Sequence, residues 1–252
     1  MNDEYPTTDN SAVVPPGAGE IHVWRASLEQ PAGHMAELRE FLTPDENERA
    51  GRYIWDEAKR HFTAGRGILR ALLGRYLAQH PLRVGIEYNE YGRPRLAGGS
   101  DRGLLFFNLS HSGGMALYAF ARGNPVGVDI ERIRELDILG IAKRFFAPAE
   151  YANLVSLPES GRNEAFFRCW TRKEAFVKAE GTGLRLDLSR VEVTLGPGAP
   201  PRILRVGSSI EDGAEWTLRD LDAGQGFAAA MAVRAPDAKV VMLDYPNHVH
   251  RE

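Results

Sequence analysis

The sequence predicts an α+β protein of two pseudo-symmetric lobes, each a small antiparallel sheet packed on a long helix. Three observations carry that expectation. Apolar residues recur at helical spacing through two long stretches, residues 56–80 and 162–180. Short alternating segments broken by Gly and Pro follow each of them. And "GMALYAFARGNPVGVDIE" (residues 114–131) can be laid on "GFAAAMAVRAPDAKVVML" (residues 226–243) with a similar apolar pattern, a faint internal repeat. The division read from these is a disordered leader over 1–18, lobes over 19–126 and 127–244, and a tail over 245–252.

Taken in order, "GEIHVWRASL" (residues 19–28) reads as a first strand. In "LTPDENERAGRY", Thr43 stands as N-cap, Pro44 at the first helical position and Glu46 where it closes a capping box. The first long helix places Phe62, Leu69, Leu72, Leu73, Tyr76 and Leu77 at helical spacing and carries Lys59, Arg60, Arg66, Arg70 and Arg75 on its other faces. "YNEYGRPRLAGG" is broken into turns. An antiparallel meander is expected next, "GLLFFNLSHS", "MALYAFA" and "VGVDIE", with neighbouring strands paired. A helix-prone stretch, "IAKRFFAPAEYANL", precedes the second long helix. There Phe166, Trp170 and Val177 share one face while Glu174 and Lys178 share the next, and Gly181 and Gly183 supply its stop. "SRVEVTL", "PRILRV", "EWTLRDL" and "GFAAAMAVRA" read as further strands.

Composition bounds the rest. With 252 residues and 43% hydrophobic content the chain has room for a substantial core. No apolar run approaches ~18 residues, and the N-terminus lacks the basic-then-apolar pattern of an export signal. The single cysteine, Cys169, forms no internal disulfide, so a cytoplasmic protein is expected. A net charge of −3 offers no global attraction to nucleic acid or membrane.

The most informative stretch is "PVGVDIERI" (residues 125–133). Val126, Val128 and Ile130 alternate with Gly127, Asp129 and Glu131, so one strand face is apolar and the other carries two carboxylates. Such a pair is exposed to water, neutralised by a neighbouring Lys or Arg, or used to bind a hard divalent cation. Upstream, "FNLSHSGG" ends a strand in Ser110, His111 and Ser112, groups suited to phosphate. Downstream, Lys173, Glu174 and Lys178 add a third acid and two ammonium groups on one helix, which by themselves also suit a surface ion pair.

"YGRPRL", "FNLSHSGG", "GVDIE" and "WTRKEAFVKAEGTGL" occur in the order and spacing of the 4′-phosphopantetheinyl transferases, and the W-x-x-K-E-A form resembles the Sfp-type branch. The resemblance implies that family's fold and an enzyme moving the phosphopantetheine arm of coenzyme A onto a serine of an apo acyl or peptidyl carrier protein, with release of 3′,5′-ADP. It implies Asp129, Glu131 and Glu174 as Mg²⁺ ligands. Lys173 and Lys178 would contact the pyrophosphate, Lys178 and Glu174 would serve catalysis, and Glu174 is the candidate base. Arg60, Arg66, Arg93, Ser110 and His111 would hold the 3′-phosphate end of coenzyme A. The carrier would dock near Arg132, Arg134, Lys143 and Arg144, with Phe145 or Phe146 as an apolar anchor. A monomer serving secondary metabolism is expected, because one chain supplies both walls of the site. Two rivals share the same residues, another Mg²⁺-dependent phosphate enzyme and a coenzyme A-binding relative without chemistry.

Overall fold

The computed structural model of the chain describes residues 13–90, 92–98, 105–181, 187–196, 198–207 and 215–246. Most of the expected leader, Gly183, and the tail from 247 onward lie outside these. The chain divides into two compact units, one built on Glu29–Gly85, the other on Pro16–Leu28 with Ile86–Asn247. The expected lobe boundary at 126/127 falls instead at the start of a strand of the second unit.

The Glu29–Gly85 unit is helical: α1 (Ala32–Glu40), α2 (Pro44–Gly51) and α3 (Asp56–Leu77). The capping box of α2 is formed, the Thr43 hydroxyl accepting the Glu46 N–H and the Glu46 carboxylate accepting the Thr43 N–H at 3.0 Å. Helix α3 buries Ile68, Leu69, Leu72 and Leu73 completely. It stops at Ala78 in the left-handed conformation, a turn short of the expected His80. Gly67 lets α1 approach, because a Cβ there would lie 2.6 Å from the Leu38 carbonyl oxygen. Arg70 is not a solvated charge: it is buried, grips Glu46 through two bonds of 2.6 and 3.1 Å, and donates to the Pro81 and Val84 carbonyls.

The second unit holds the strands. They are β1 (Glu20–Ser27), β2 (Ile86–Tyr88), β3 (Pro94–Leu96), β4 (Leu105–Ser112), β5 (Met115–Arg122) and β6 (Val126–Arg132), then β7 (Val191–Val193), β8 (Ile203–Val206), β9 (Thr217–Asp220), β10 (Phe227–Val233) and β11 (Lys239–Asp244). Between β6 and β7 lie α4 (Ile138–Phe145), α5 (Pro148–Ser156) and α6 (Glu159–Glu180). The "YNEYGRPRL" region is more ordered than turns alone: β2 and β3 pair as a hairpin, its loop held by the Arg93 N–H on Asn89 Oδ1 at 2.8 Å.

One sheet has the order β11-β1-β5-β4, and another the order β6-β10-β9. This corrects the expected meander. Strands β4 and β5 pair as anticipated, but β6 leaves β5 and takes its main-chain partner from β10. Likewise β10 lies in one sheet and the strand after it, β11, runs parallel to β1 in the other. The two segments of the faint repeat thus each split their strands between the two sheets, as a pseudo-symmetric pair would.

The β6-β10-β9 sheet is covered on both faces. Val126, Val128 and Ile130, with Met231 and Val233, pack toward Ile21, Val23, Leu117 and Ala119 of the four-stranded sheet. On the other face Ala230 and Ala232 join the cluster under Phe166, Phe167 and Phe176 of α6. Small residues on that face bring α6 close. The closest approach is at Gly127, where a Cβ would sit 2.0 Å from the Ala175 carbonyl oxygen. The strand face carrying Asp129 therefore looks at the helix carrying Glu174 and Lys178.

Candidate active site

Strands β4 and β6 run side by side in the same direction without a main-chain ladder, and a row of side chains joins them instead. Asn108 Oδ1 accepts the Val128 N–H at 2.9 Å. Two residues on, the Ser110 hydroxyl donates to Asp129 Oδ1 at 2.8 Å. Two further on, the Ser112 hydroxyl donates to Glu131 Oε2 at 2.9 Å and accepts the Arg132 N–H at 3.1 Å. The period of two along β4 points all three at β6. From α6, Lys178 Nζ donates to Asp129 Oδ1 at 2.7 Å, to Ser110 Oγ at 3.0 Å and to the Val128 carbonyl at 3.2 Å.

Asp129 is only 4% exposed, so the carboxylate pair is not a solvated one. Its Oδ1 is well satisfied, while its buried Oδ2 has no hydrogen-bond partner. An unpaired carboxylate oxygen out of water is costly. Its neighbours share the strain. Burial pushes the Glu131 carboxyl above its ordinary range and the Asp129 charge adds to this, while the Ser112 hydroxyl works the other way. Burial also raises Glu174, with Asp129 and Glu131 adding to it and Lys178 opposing. Three carboxylates in one another's field, opposed by the Lys178 ammonium and, at Glu131, the Arg134 guanidinium, favour a further cation. Oxygen-only donors suit a hard one. Asp129 and Glu131 are held by separate serine donors, and among the described residues the trio whose ligand atoms all lie within 4.8 Å of one another is Glu29, Glu57 and His61. That trio sits on the helical unit, largely exposed, where His61 Nε2 and Glu29 Oε1 already bond at 2.6 Å.

Other expected site residues are placed differently. Lys173 does not reach the acidic cluster. It is fully buried, bonded to Glu150 and to the Val191 carbonyl, and lies over the Phe146 ring at 5.3 Å. Glu150 also accepts the Ala147 and Val193 N–H groups, both at 2.7 Å. A buried pair of this kind fixes α5 and β7 against α6. Replacing Lys173 with alanine strands Glu150, so a loss of about 3–5 kcal/mol in stability is expected from urea denaturation. Coenzyme A affinity of the folded fraction, followed by calorimetry, should stay unchanged; a selective affinity loss without destabilisation would restore the phosphate role.

Arg93 donates from its two terminal nitrogens to the Val126 and Ala179 carbonyls, tying the start of β6 to the end of α6. Desolvation lowers its pKa. It lines, with Asn89, Pro94, Phe106 and Pro125, a cleft of about 370 Å³. Ser110 is buried within the acidic cluster, and His111, next along β4, is exposed. On the helical unit Arg60 is exposed, whereas Arg66 is buried and paired with Glu46 at 3.3 Å. Phe146 belongs to the core, stacked on Phe166 at 5.3 Å; Phe145 is half-buried against Trp170. Sequence reading passed over Asn108 and Gly127 and gave Ser112 no part beside Glu131. The spacing Asn108-Ser110-Ser112 on a strand was the available signal for two of them.

Fold and site together define a class of protein: an α+β chain that sets a carboxylate cluster and an ammonium group at a strand–helix seam, suited to handling phosphate esters. Comparison with known proteins makes this specific. The model of the 4′-phosphopantetheinyl transferase superfamily matches residues 125–232, which run from the start of β6 almost to the end of β10. The chain is 40% identical over 215 residues to the 4′-phosphopantetheinyl transferase HetI of Nostoc, covering 85% of this chain and 87% of that one. It is 29% identical to the transferase ffp of Bacillus subtilis, covering 82% and 90% of the two chains. To the Bacillus subtilis transferase Sfp it is 32% identical, covering 62% and 67%. The chain belongs to the 4′-phosphopantetheinyl transferase superfamily, with Sfp-type relatives. It transfers phosphopantetheine to carrier proteins, with coenzyme A as the donor substrate.

Proposed function

We propose that Asp129, Glu131 and Glu174 hold a Mg²⁺ ion and that transfer to an apo acyl or peptidyl carrier releases 3′,5′-ADP. The observation carrying this is the buried, unpartnered Oδ2 of Asp129 beside two carboxylates raised by burial and mutual repulsion. The bound cation would supply charge stabilisation to a phosphoryl transfer whose barrier is largely electrostatic. Lys178 contributes a positive charge at Asp129 Oδ1 that suits the pyrophosphate. Ser110 orients Asp129 rather than reading a separate phosphate. Glu174, its carboxyl raised by burial, is suited to receiving the carrier serine's proton, directly or through a water. As a metal ligand it is a weaker base, so holding the cation is its main role and proton acceptance the secondary one.

For the 3′-phosphate end of coenzyme A we assign His111, exposed beside Ser110 on β4; Arg60, exposed on α3, keeps the role the resemblance implies. Arg93 and Arg66 take structural roles within their own units, the one bonded to the Val126 and Ala179 carbonyls and the other paired with Glu46. Lys173 is reassigned to the core pair with Glu150. The exposed Arg132, Arg134, Lys143 and Arg144, along the end of β6 and α4, form the proposed carrier-docking face. Phe145 is its apolar edge. No described helix is long and apolar enough to cross a membrane. The net charge of −3 and the reduced, buried Cys169 support a cytoplasmic enzyme without nucleic-acid or membrane partners; a monomer serving secondary metabolism is what the family resemblance implies.

The test is intact-mass analysis of apo carriers incubated with the protein, coenzyme A and Mg²⁺. Gain of one phosphopantetheine arm, abolished by a chelator and restored by Mg²⁺, is expected. Transfer that persists undiminished in chelator removes the metal. Coenzyme A binding without transfer to any carrier would favour the non-catalytic alternative.

A further inference from the structure

We propose that Ser112 is a positioning residue for the metal site, aiming Glu131 through its hydroxyl; the inference rests on the metal reading above. A serine hydroxyl has one proton and two lone pairs. Here a lone pair takes the main-chain N–H of Arg132 at 3.1 Å, and the proton is committed to Glu131 Oε2 at 2.9 Å. Because Arg132 N belongs to the strand backbone, the hydroxyl is anchored to β6 itself and cannot swing away with its own strand end. It therefore fixes the carboxylate next to that anchor.

Two further features hold this geometry. Four residues upstream on β4, buried Asn108 takes the Val128 N–H in the same manner, so the two strands are pinned in register where no main-chain ladder joins them. One residue beyond Ser112, Gly113 has a φ of 54°, and a Cβ there would lie 2.6 Å from the Arg132 side chain. The turn after Ser112 thus lies against the residue that follows Glu131, and the serine sits between two fixed points.

The direction of the effect follows from the bond. Donation to the carboxylate holds it in its present orientation. A glutamate on a strand otherwise rotates about three side-chain bonds, and ligands held by an outer hydrogen bond bind metal about 10–100-fold better than loose ones. Ser112 does for Glu131 what Ser110 does for Asp129. Ser110 also takes a bond from Lys178, whereas Ser112 has no described role beyond the carboxylate and the strand.

The experiment measures Mn²⁺ binding to the full-length protein by electron paramagnetic resonance, for wild type, Ser112→Ala, Ser112→Thr and Asp129→Asn, with melting curves for each. Ser112→Ala is expected to weaken Mn²⁺ about 10-fold and to raise the half-saturating Mg²⁺ concentration for transfer in proportion. Its turnover at saturating Mg²⁺ and its melting temperature should stay close to wild type. Ser112→Thr, which keeps the hydroxyl, should restore binding. Wild-type affinity in Ser112→Ala, or failure of threonine to restore it, overturns the proposal while leaving the metal reading standing. Absence of Mn²⁺ binding in wild type, or unchanged binding in Asp129→Asn, overturns both.

Discussion

Asp129→Asn is expected to lower turnover on the order of 10²-fold or more while the protein stays folded. The substitution is isosteric, so packing between β4, β6 and α6 is kept. The amide oxygen can remain on Ser110 and Lys178, where Oδ1 now accepts bonds of 2.8 and 2.7 Å. The amide nitrogen then replaces Oδ2, the buried oxygen that has no protein partner. A donor with positive hydrogens would point where a lone pair was offered, and the cluster would lose one of its three negative charges. The expected signature is a large fall in the rate of carrier modification that added Mg²⁺ does not rescue. Coenzyme A affinity measured in chelator should be nearly normal, as should the melting temperature. A variant with wild-type turnover at ordinary Mg²⁺ would show that Asp129 is only the counter-ion of Lys178.

That counter-ion pair illustrates what the sequence could and could not disclose. The alternation in "PVGVDIE" was sufficient to assign Val126, Val128 and Ile130 to a core, and all three are completely buried. Local chemistry also disclosed the α2 capping box, since its residues are adjacent in the chain. The pairing of β6 with β10 was not legible. Strand partners separated by about a hundred residues leave no local trace, and the short turn after β5 argued for the wrong neighbour. What keeps β6 beside β4 without pairing is side-chain chemistry, which alternation patterns cannot distinguish from a surface row of polar residues.

Lys173 is a different kind of miss, because the signal was present. It stands on α6 three residues after Trp170 and four before Val177, within the stripe that runs from Phe166. Helical geometry alone put it on the apolar face and put Glu174 and Lys178 together on the next. A lysine on such a face must find a buried acid or be expelled, and Glu150 supplies the acid. That acid lies in α5, at the position that also accepts the Ala147 N–H, so it reads in sequence as nothing more than a helix-start residue. Arg70 and Arg66 follow the same rule, their partner Glu46 being part of a capping box.

Gly127→Ala should disable the site without touching any charged group. A methyl at this position would stand 2.0 Å from the Ala175 carbonyl oxygen and 2.4 Å from the Ala179 nitrogen, both main-chain atoms of α6. Neither can rotate aside, so strand and helix must separate. Overpacking of this kind costs typically ~1–3 kcal/mol and more where the obstacle is backbone. Residue 127 lies two before Asp129, and the atoms it meets flank Glu174 and Lys178, so the separation opens the seam where acid and ammonium meet. A displacement near 1 Å can cost about 10²-fold in rate. We expect a fall of at least about 2 kcal/mol in urea denaturation, together with loss of carrier modification in protein that is still folded at low temperature. Because Asp129→Asn spares stability and Gly127→Ala does not, the pair separates the charge of the cluster from its placement. Normal turnover in Gly127→Ala would mean that the seam tolerates a wider spacing than its present bonds allow, and that the Lys178–Asp129 contact is not what transfer depends on.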